Sequence, residues 1–200
     1  MTPPASDADR EGIAALLDRW EQELRALVEI RCERHGRDVP APSFAVVLTS
    51  LAILEAVLTI FEWKRSAPKT DQLVRDWIDK RTQLGDDYAT RLWDTYRNGL
   101  AHLFAPKQKG GLVNIVRWAE DDARPCTDGP RQAEFFQVSV QLRPGRGLPP
   151  GHFTMHAAEL AKAVVDTISE KRAVLTARGF DSSRMPGWAA WQKQRVGARR

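Results

Sequence analysis

The sequence predicts a mainly α protein: a four-helix-bundle-like domain with an extra short helix and an inserted β-hairpin. Three observations carry this. Long stretches repeat apolar residues at three- and four-residue steps. One stretch, Phe44 to Phe61, is apolar almost all round, as expected of a helix buried on every side. The period then changes after Gly111, with Phe135 to Leu142 alternating at two, before helical spacing returns.

The first helix opens at Ser6, with Asp9 three residues on as a capping signal. It is expected to run to about Arg34, with Ile13, Leu16, Leu17, Trp20, Leu24, Leu27, Val28 and Ile30 inward, ended by Gly36, Pro40 and Pro42. Ser43 caps the second helix, which reaches about Lys64. That stretch is shorter than the roughly 20 apolar residues a membrane span needs. It also holds Glu55, a charge that lipid disfavours. A buried core helix is therefore the expectation. Pro68 breaks it, and Thr70 and Asp71 open a shorter helix with Leu73, Val74, Trp77 and Ile78 on one side. Gly85 interrupts, Asp86 or Asp87 caps the next helix, and Pro106 follows its end.

Leu112 to Trp118 and Phe135 to Leu142 read as strands, expected to pair as an antiparallel hairpin leaning on the helices. Arg143 to Gly151, rich in Pro and Gly, reads as a linker. A last helix is expected from about Thr154 to Arg178, with Leu160, Val164, Ile168 and Leu175 inward and Gly179 beyond its end. The division is a helical domain over 1–179, with the hairpin insertion at about 111–143, and a basic, Trp-containing tail over 180–200.

At 42% apolar residues the chain can bury a real core, and the formal net charge is +4. That excess is the tail's, where Arg184, Lys193, Arg195, Arg199 and Arg200 face Asp181 alone. Trp188 and Trp191 precede these cations. They either stack on single-stranded RNA bases or dock on the helices or a partner. Cys32 and Cys126 form no disulfide framework or metal spacing, which fits a reducing, cytoplasmic setting. The first dozen residues hold Asp7, Asp9 and Glu11 and read as no secretory signal. His152 and His156 are one ligand pair without a third ligand, and Cys32 and His35 read as an ordinary thiol and imidazole. No metal and no cofactor is expected.

The chemically definite stretch is Trp93 to His102. On a regular helix at about 100° per residue, Trp93, Tyr96, Leu100, Leu103 and Phe104 share one arc. Arg97 borders it. Asp94, Asn98 and His102 lie on the polar side, and Arg91, Thr95, Asn98 and His102 make a stripe. His102 is thus a plain surface residue or part of a surface or interface site. Histidine exchanges protons near neutral pH, and arginine offers a rigid fork of donors to phosphate. Such a set can cleave a phosphodiester without metal when a ribose 2′-OH attacks, which confines the substrate to RNA. Arg97 and His102 stand about 140° apart on a regular helix, so a two-fold dimer brings the pair together better than one chain does. Gly99 either permits close backbone approach there or marks ordinary weakening near the helix end. Lys107 extends a phosphate track or is a solvated loop charge.

Arg97-Asn98-Gly99-Leu100-Ala101-His102 resembles the signature of the HEPN superfamily: an Arg, a polar residue after it, and a His a little over a turn further on. The resemblance implies a helical-bundle domain and a metal-independent endoribonuclease acting through 2′-OH attack. It implies Arg97 and His102 as the catalytic pair assisted by Asn98. Around them Arg91, Asp94, Tyr96 and Lys107 are the candidate supporting or RNA-binding residues. It implies a homodimer with a composite site, and a toxin–antitoxin, phage-defence or RNA-processing role with an antitoxin or other protein partner. Some members bind without cutting, so a non-catalytic RNA-, nucleotide- or protein-binding module is the alternative. A third reading makes the motif accidental.

Overall fold

The computed structural model describes residues 6–34, 37–40, 43–63, 70–83, 85–98, 113–117, 131–133, 135–140, 151–177, 185–188 and 191–192. Among these the protein is mostly helical. The order is α1 (Asp7–Glu29), β1 (Arg31–Arg34), β2 (Arg37–Pro40), α2 (Ser43–Glu62), α3 (Thr70–Thr82) and α4 (Asp86–Leu92). A π-helical turn follows (Trp93–Asn98), then β3 (Val113–Arg117), β4 (Arg131–Ala133), β5 (Phe136–Val140), β6 (Gly151–His156) and α5 (Ala157–Thr176).

The capping signal at Ser6 forms as expected. Its hydroxyl accepts from the Asp9 N–H at 3.2 Å, and the Asp9 carboxylate accepts from the Ser6 N–H at 2.9 Å, which satisfies donors that a helix start leaves open. The first helix stops earlier than its apolar spacing predicts. From Arg31 the chain turns into an antiparallel β1–β2 pair, with Cys32 opposite Val39, and Ile30 is left exposed. The residues read as a helix end are a strand pair, so Cys32 stands on β1, not on a helix.

Helix α2 is the centre of the packing. It contacts α1, α3, α5, β3 and the π-helical turn. Val46, Val47, Leu51, Leu54, Val57, Leu58 and Ile60 are all buried, each worth roughly 1.5–3 kcal/mol relative to exposure. At 20 residues it is, by length and composition alone, long and apolar enough to cross a membrane, which corrects the expectation that it is too short; 61% of that window is buried inside the protein, as in a core helix. Helix α5 lies against α1 and α2, and Leu160, Val164, Ile168 and Leu175 are buried as their spacing predicts. Ion pairs close the seams between helices: Arg172 Nη2 reaches Glu21 Oε2 at 2.6 Å and Asp18 Oδ1 at 2.8 Å, and Lys171 Nζ reaches Glu62 Oε1 at 2.6 Å.

Two other starts differ from the sequence reading. Neither Asp86 nor Asp87 caps α4; Gly85 does, at φ 90°, with no side-chain cap. That left-handed backbone suits glycine, and the Gly85 N–H donates to Asp79 Oδ1 at 2.7 Å. The last helix begins at Ala157, because Gly151–His156 is a strand.

That strand reorganises the β region. The sheet is four-stranded in the order β3-β6-β5-β4. β6 runs parallel to β3 and antiparallel to β5, so the two strands expected to form a hairpin are not neighbours. β6 lies between them and takes the backbone hydrogen bonds each would have offered the other. The sheet is fastened to the helices through Phe135, which stacks on Trp77 of α3 at 5.4 Å between ring centroids. Trp77 Nε1 in turn donates to Thr167 Oγ1 of α5 at 3.1 Å, and the Arg81 guanidinium covers the Trp77 ring at 4.5 Å.

The described tail residues dock on the helices. Met185 is buried, the Gly187 N–H donates to Ile60 O at 3.1 Å, and Trp188 Nε1 donates to Asp9 Oδ1 at 2.8 Å. Trp188 stacks on Trp191, which meets Trp20 of α1 edge-on at 6.0 Å. Of the two readings of these tryptophans, docking on the helices is the observed one. A Cβ on Gly187 would lie 1.6 Å from Thr59 O, an overlap with backbone that no rotamer relieves. We therefore expect Gly187→Ala to release the tail and lower the unfolding free energy by about 1–3 kcal/mol; urea denaturation measures the loss, and limited proteolysis should cut near residue 187 in the variant alone.

Acid sensitivity follows from two carboxylates. The Trp188 indole N–H, with the Ser6 backbone and hydroxyl, holds the Asp9 carboxyl below the usual carboxylate range. Arg172, then Arg25, does the same for Glu21. Groups whose folded pKa is depressed contribute stability that is present above their unfolded pKa, about 4, and is lost as pH falls through the folded values. The melting temperature should be level from pH 7 to about 5 and fall below about 4, with a shallower fall in Arg172→Ala.

Candidate functional site

The site residues that the structure describes lie where α4 runs into the π-helical turn. A π turn bonds i to i+5 and winds more widely than an α-helix. Trp93 and Tyr96 are buried, as predicted. Thr95, expected on the polar stripe with Asn98, is buried at 4% exposure; the turn packs against both α2 and α3, so more than one of its sides is covered. Asp94 is exposed, and Arg97 and Asn98 are half-buried at the rim.

Arg97 sits between two partners. Its Nη2 lies 3.7 Å from Glu55 Oε2 on α2, and its guanidinium carbon is 5.8 Å from the centroid of the Trp93 ring, within cation–π range. Its Nε is buried and makes no hydrogen bond to any described residue. Asn98 Nδ2 donates to Asp94 Oδ1 at 3.0 Å, a bond along its own turn. Arg97 and Asn98 are thus both half-buried at the rim, the first tied to Glu55 of α2 and the second to Asp94.

The sequence reading missed Glu55 as a member of this group. It was noticed only as a charge that disfavours a membrane span. A carboxylate in an otherwise apolar helix signals a cation nearby, since an unpaired charge there is costly. That signal says a partner exists without saying that it is Arg97.

The other expected residues divide. Tyr96 is fully buried, so its side chain belongs to the core. Arg91 stands in the last turn of α4. Gly99, Leu100, His102, Leu103, Phe104 and Lys107 lie outside the described residues. His152 and His156 are on β6 instead of a helix, and His156 is buried at the start of α5. Among the described residues no group of three or more His, Cys, Asp or Glu is placed to hold a metal ion. No family model, curated protein or solved structure matches the chain.

The burial pattern gives a direct check. Tyr96→Ala should lower the unfolding free energy by about 3–5 kcal/mol, whereas Asp94→Ala should stay within about 1 kcal/mol of the wild type. Chemical denaturation of both variants measures the contrast, and equal effects would contradict the placement of the turn.

Proposed function

We propose that the protein is a HEPN-like endoribonuclease that cleaves RNA without a metal, through attack of a ribose 2′-OH on the adjacent phosphodiester. One observation carries the reading: Arg97 and Asn98, the first two residues of the motif, are both half-buried at the rim of a buried helical core. A π turn at that point is in keeping with a functional role, since such turns are frequent at functional sites. In this reading the Arg97 guanidinium binds a non-bridging phosphate oxygen and stabilises the negative charge that builds in the transition state. Asn98 positions the phosphate or the attacking hydroxyl. His102 takes the 2′-OH proton or gives one to the leaving 5′ oxygen. The products are a 2′,3′-cyclic phosphate and a free 5′-hydroxyl.

The same reading makes the helices a HEPN-type bundle carrying an inserted β element, and the active form a cytoplasmic homodimer whose two motifs build one composite site. A toxin or defence role with an antitoxin or other protein partner is the biological setting it implies. Arg97 already has a carboxylate partner, which is the observation that favours a second reading, a HEPN-like module that holds RNA, a nucleotide or a protein on this face without cutting.

Purified protein should cleave RNA in the presence of EDTA and leave 2′,3′-cyclic phosphate ends. Replacing one residue that acts as a general acid or base costs roughly 10²–10⁴ in rate, so His102→Ala should lose at least that with an unchanged melting curve. Full activity in His102→Ala would sink the assignment. RNA bound at Arg97 but never cut would favour the binding module.

A further inference from the structure

Glu55 is the one ionisable residue inside α2 before Glu62 ends it. Its side chain is 27% exposed and that of Arg97 28%, so the pair sits at the edge of the core, where solvent still reaches it. The geometry of the pair is unlike that of the ion pairs that hold α1, α2 and α5 together. Those close to 2.6–2.8 Å. Here the atoms stand 3.7 Å apart, an ionic contact without a hydrogen bond. The guanidinium therefore keeps its donors. Its Nε is buried, so the Nη end is what the guanidinium offers a ligand from solvent, and the Trp93 ring supports it without using an N–H. A planar guanidinium beside a carboxylate to which it makes no hydrogen bond is suited to accept a second, better-fitting oxyanion.

We propose that Glu55 is the internal counter-ion of the site: it holds the Arg97 guanidinium at the rim and is displaced from it by an RNA phosphodiester. The inference rests on the reading of Arg97 as a phosphate ligand and adds the residue that regulates it. A phosphate bound to Arg97 comes within a few ångströms of the Glu55 carboxylate, and the two negative charges repel. Glu55 thus weakens binding of every anion at Arg97. Only an anion that engages the fork at two points overcomes it, which favours phosphodiesters over singly placed carboxylates.

The test uses a short 2′-O-methyl RNA, which the protein can bind but cannot cut, followed by fluorescence anisotropy at low ionic strength. Four proteins are compared: wild type, Glu55→Gln, Arg97→Ala and the double variant. Glu55→Gln should bind about tenfold more tightly than wild type, from loss of like-charge repulsion at short range. Arg97→Ala should bind more weakly, and the double variant should match Arg97→Ala, because the effect of Glu55 passes through Arg97. Unchanged or weaker binding by Glu55→Gln overturns the proposal. So does equal tightening in the Arg97→Ala background, which would mark an effect of net charge alone, and so does absence of binding by all four. Because the probe is uncleavable, a protein without ribonuclease activity can still meet the prediction, and an active ribonuclease can fail it. Glu55→Met supplies a second uncharged side chain of similar length should the glutamine variant unfold; unfolding of both overturns the proposal, since the carboxylate would then be a structural partner.

Discussion

The burial of α2 is the constraint on which the rest of the structure depends. A helix that is apolar on nearly every side cannot remain exposed to water, so it must be covered from several directions at once. Helices α1, α3 and α5, strand β3 and the π-helical turn all contact it. Even the tail docks on its end, with Gly187 against the carbonyls of Thr59 and Ile60. The ion pairs at Arg172 and Lys171 are surface seams around this core. Ion pairs near solvent add little to total stability, and of these only the pairing of Arg172 with Glu21 bears on acid sensitivity.

The same constraint places the candidate site. A wholly apolar α2 would offer the π-helical turn nothing but packing. Glu55 introduces one charge on the side that the turn approaches, and Arg97 answers it. Trp93 and Tyr96 fill the interior side of the turn, Thr95 is drawn in with them, and Asp94 stays out. Arg97 and Asn98 are left at the boundary, anchored by the core yet reachable from solvent. A candidate site on such a rim gains rigidity from the helices and keeps access to solvent.

Much of the helical structure was legible in the sequence, because helical spacing and core burial are the same physical fact. The Ser6–Asp9 cap, the extent of α2, the start of α3 and the inward face of α5 all follow from residue pattern. The failures have local causes. Gly151-His152-Phe153-Thr154-Met155-His156 does alternate, but six residues between a Pro/Gly-rich run and a helix are too few to separate a strand from a helix start. Arg31–Arg34 continues the charged pattern of α1, so the turn into β1 leaves no break in periodicity. A wheel assumes one buried face, and the burial of Thr95 departs from it because the π-helical turn packs against both α2 and α3. For the site, the residue types of Arg97 and Asn98 were visible at once. The Glu55 partnership was not, because it joins two helices far apart in sequence and only tertiary packing brings them within reach.

In the proposed reaction the Arg97–Asn98–His102 stretch directs a ribose hydroxyl at its neighbouring phosphate. The decisive measurement is the single-turnover cleavage rate, in chelator, of one RNA and of the same strand carrying a 2′-deoxy sugar at the mapped cut site. Attack by the 2′-OH requires cleavage of the first at that position and none of the second. Cleavage of both at the same rate, or cleavage that appears only when a divalent metal is restored, would contradict it.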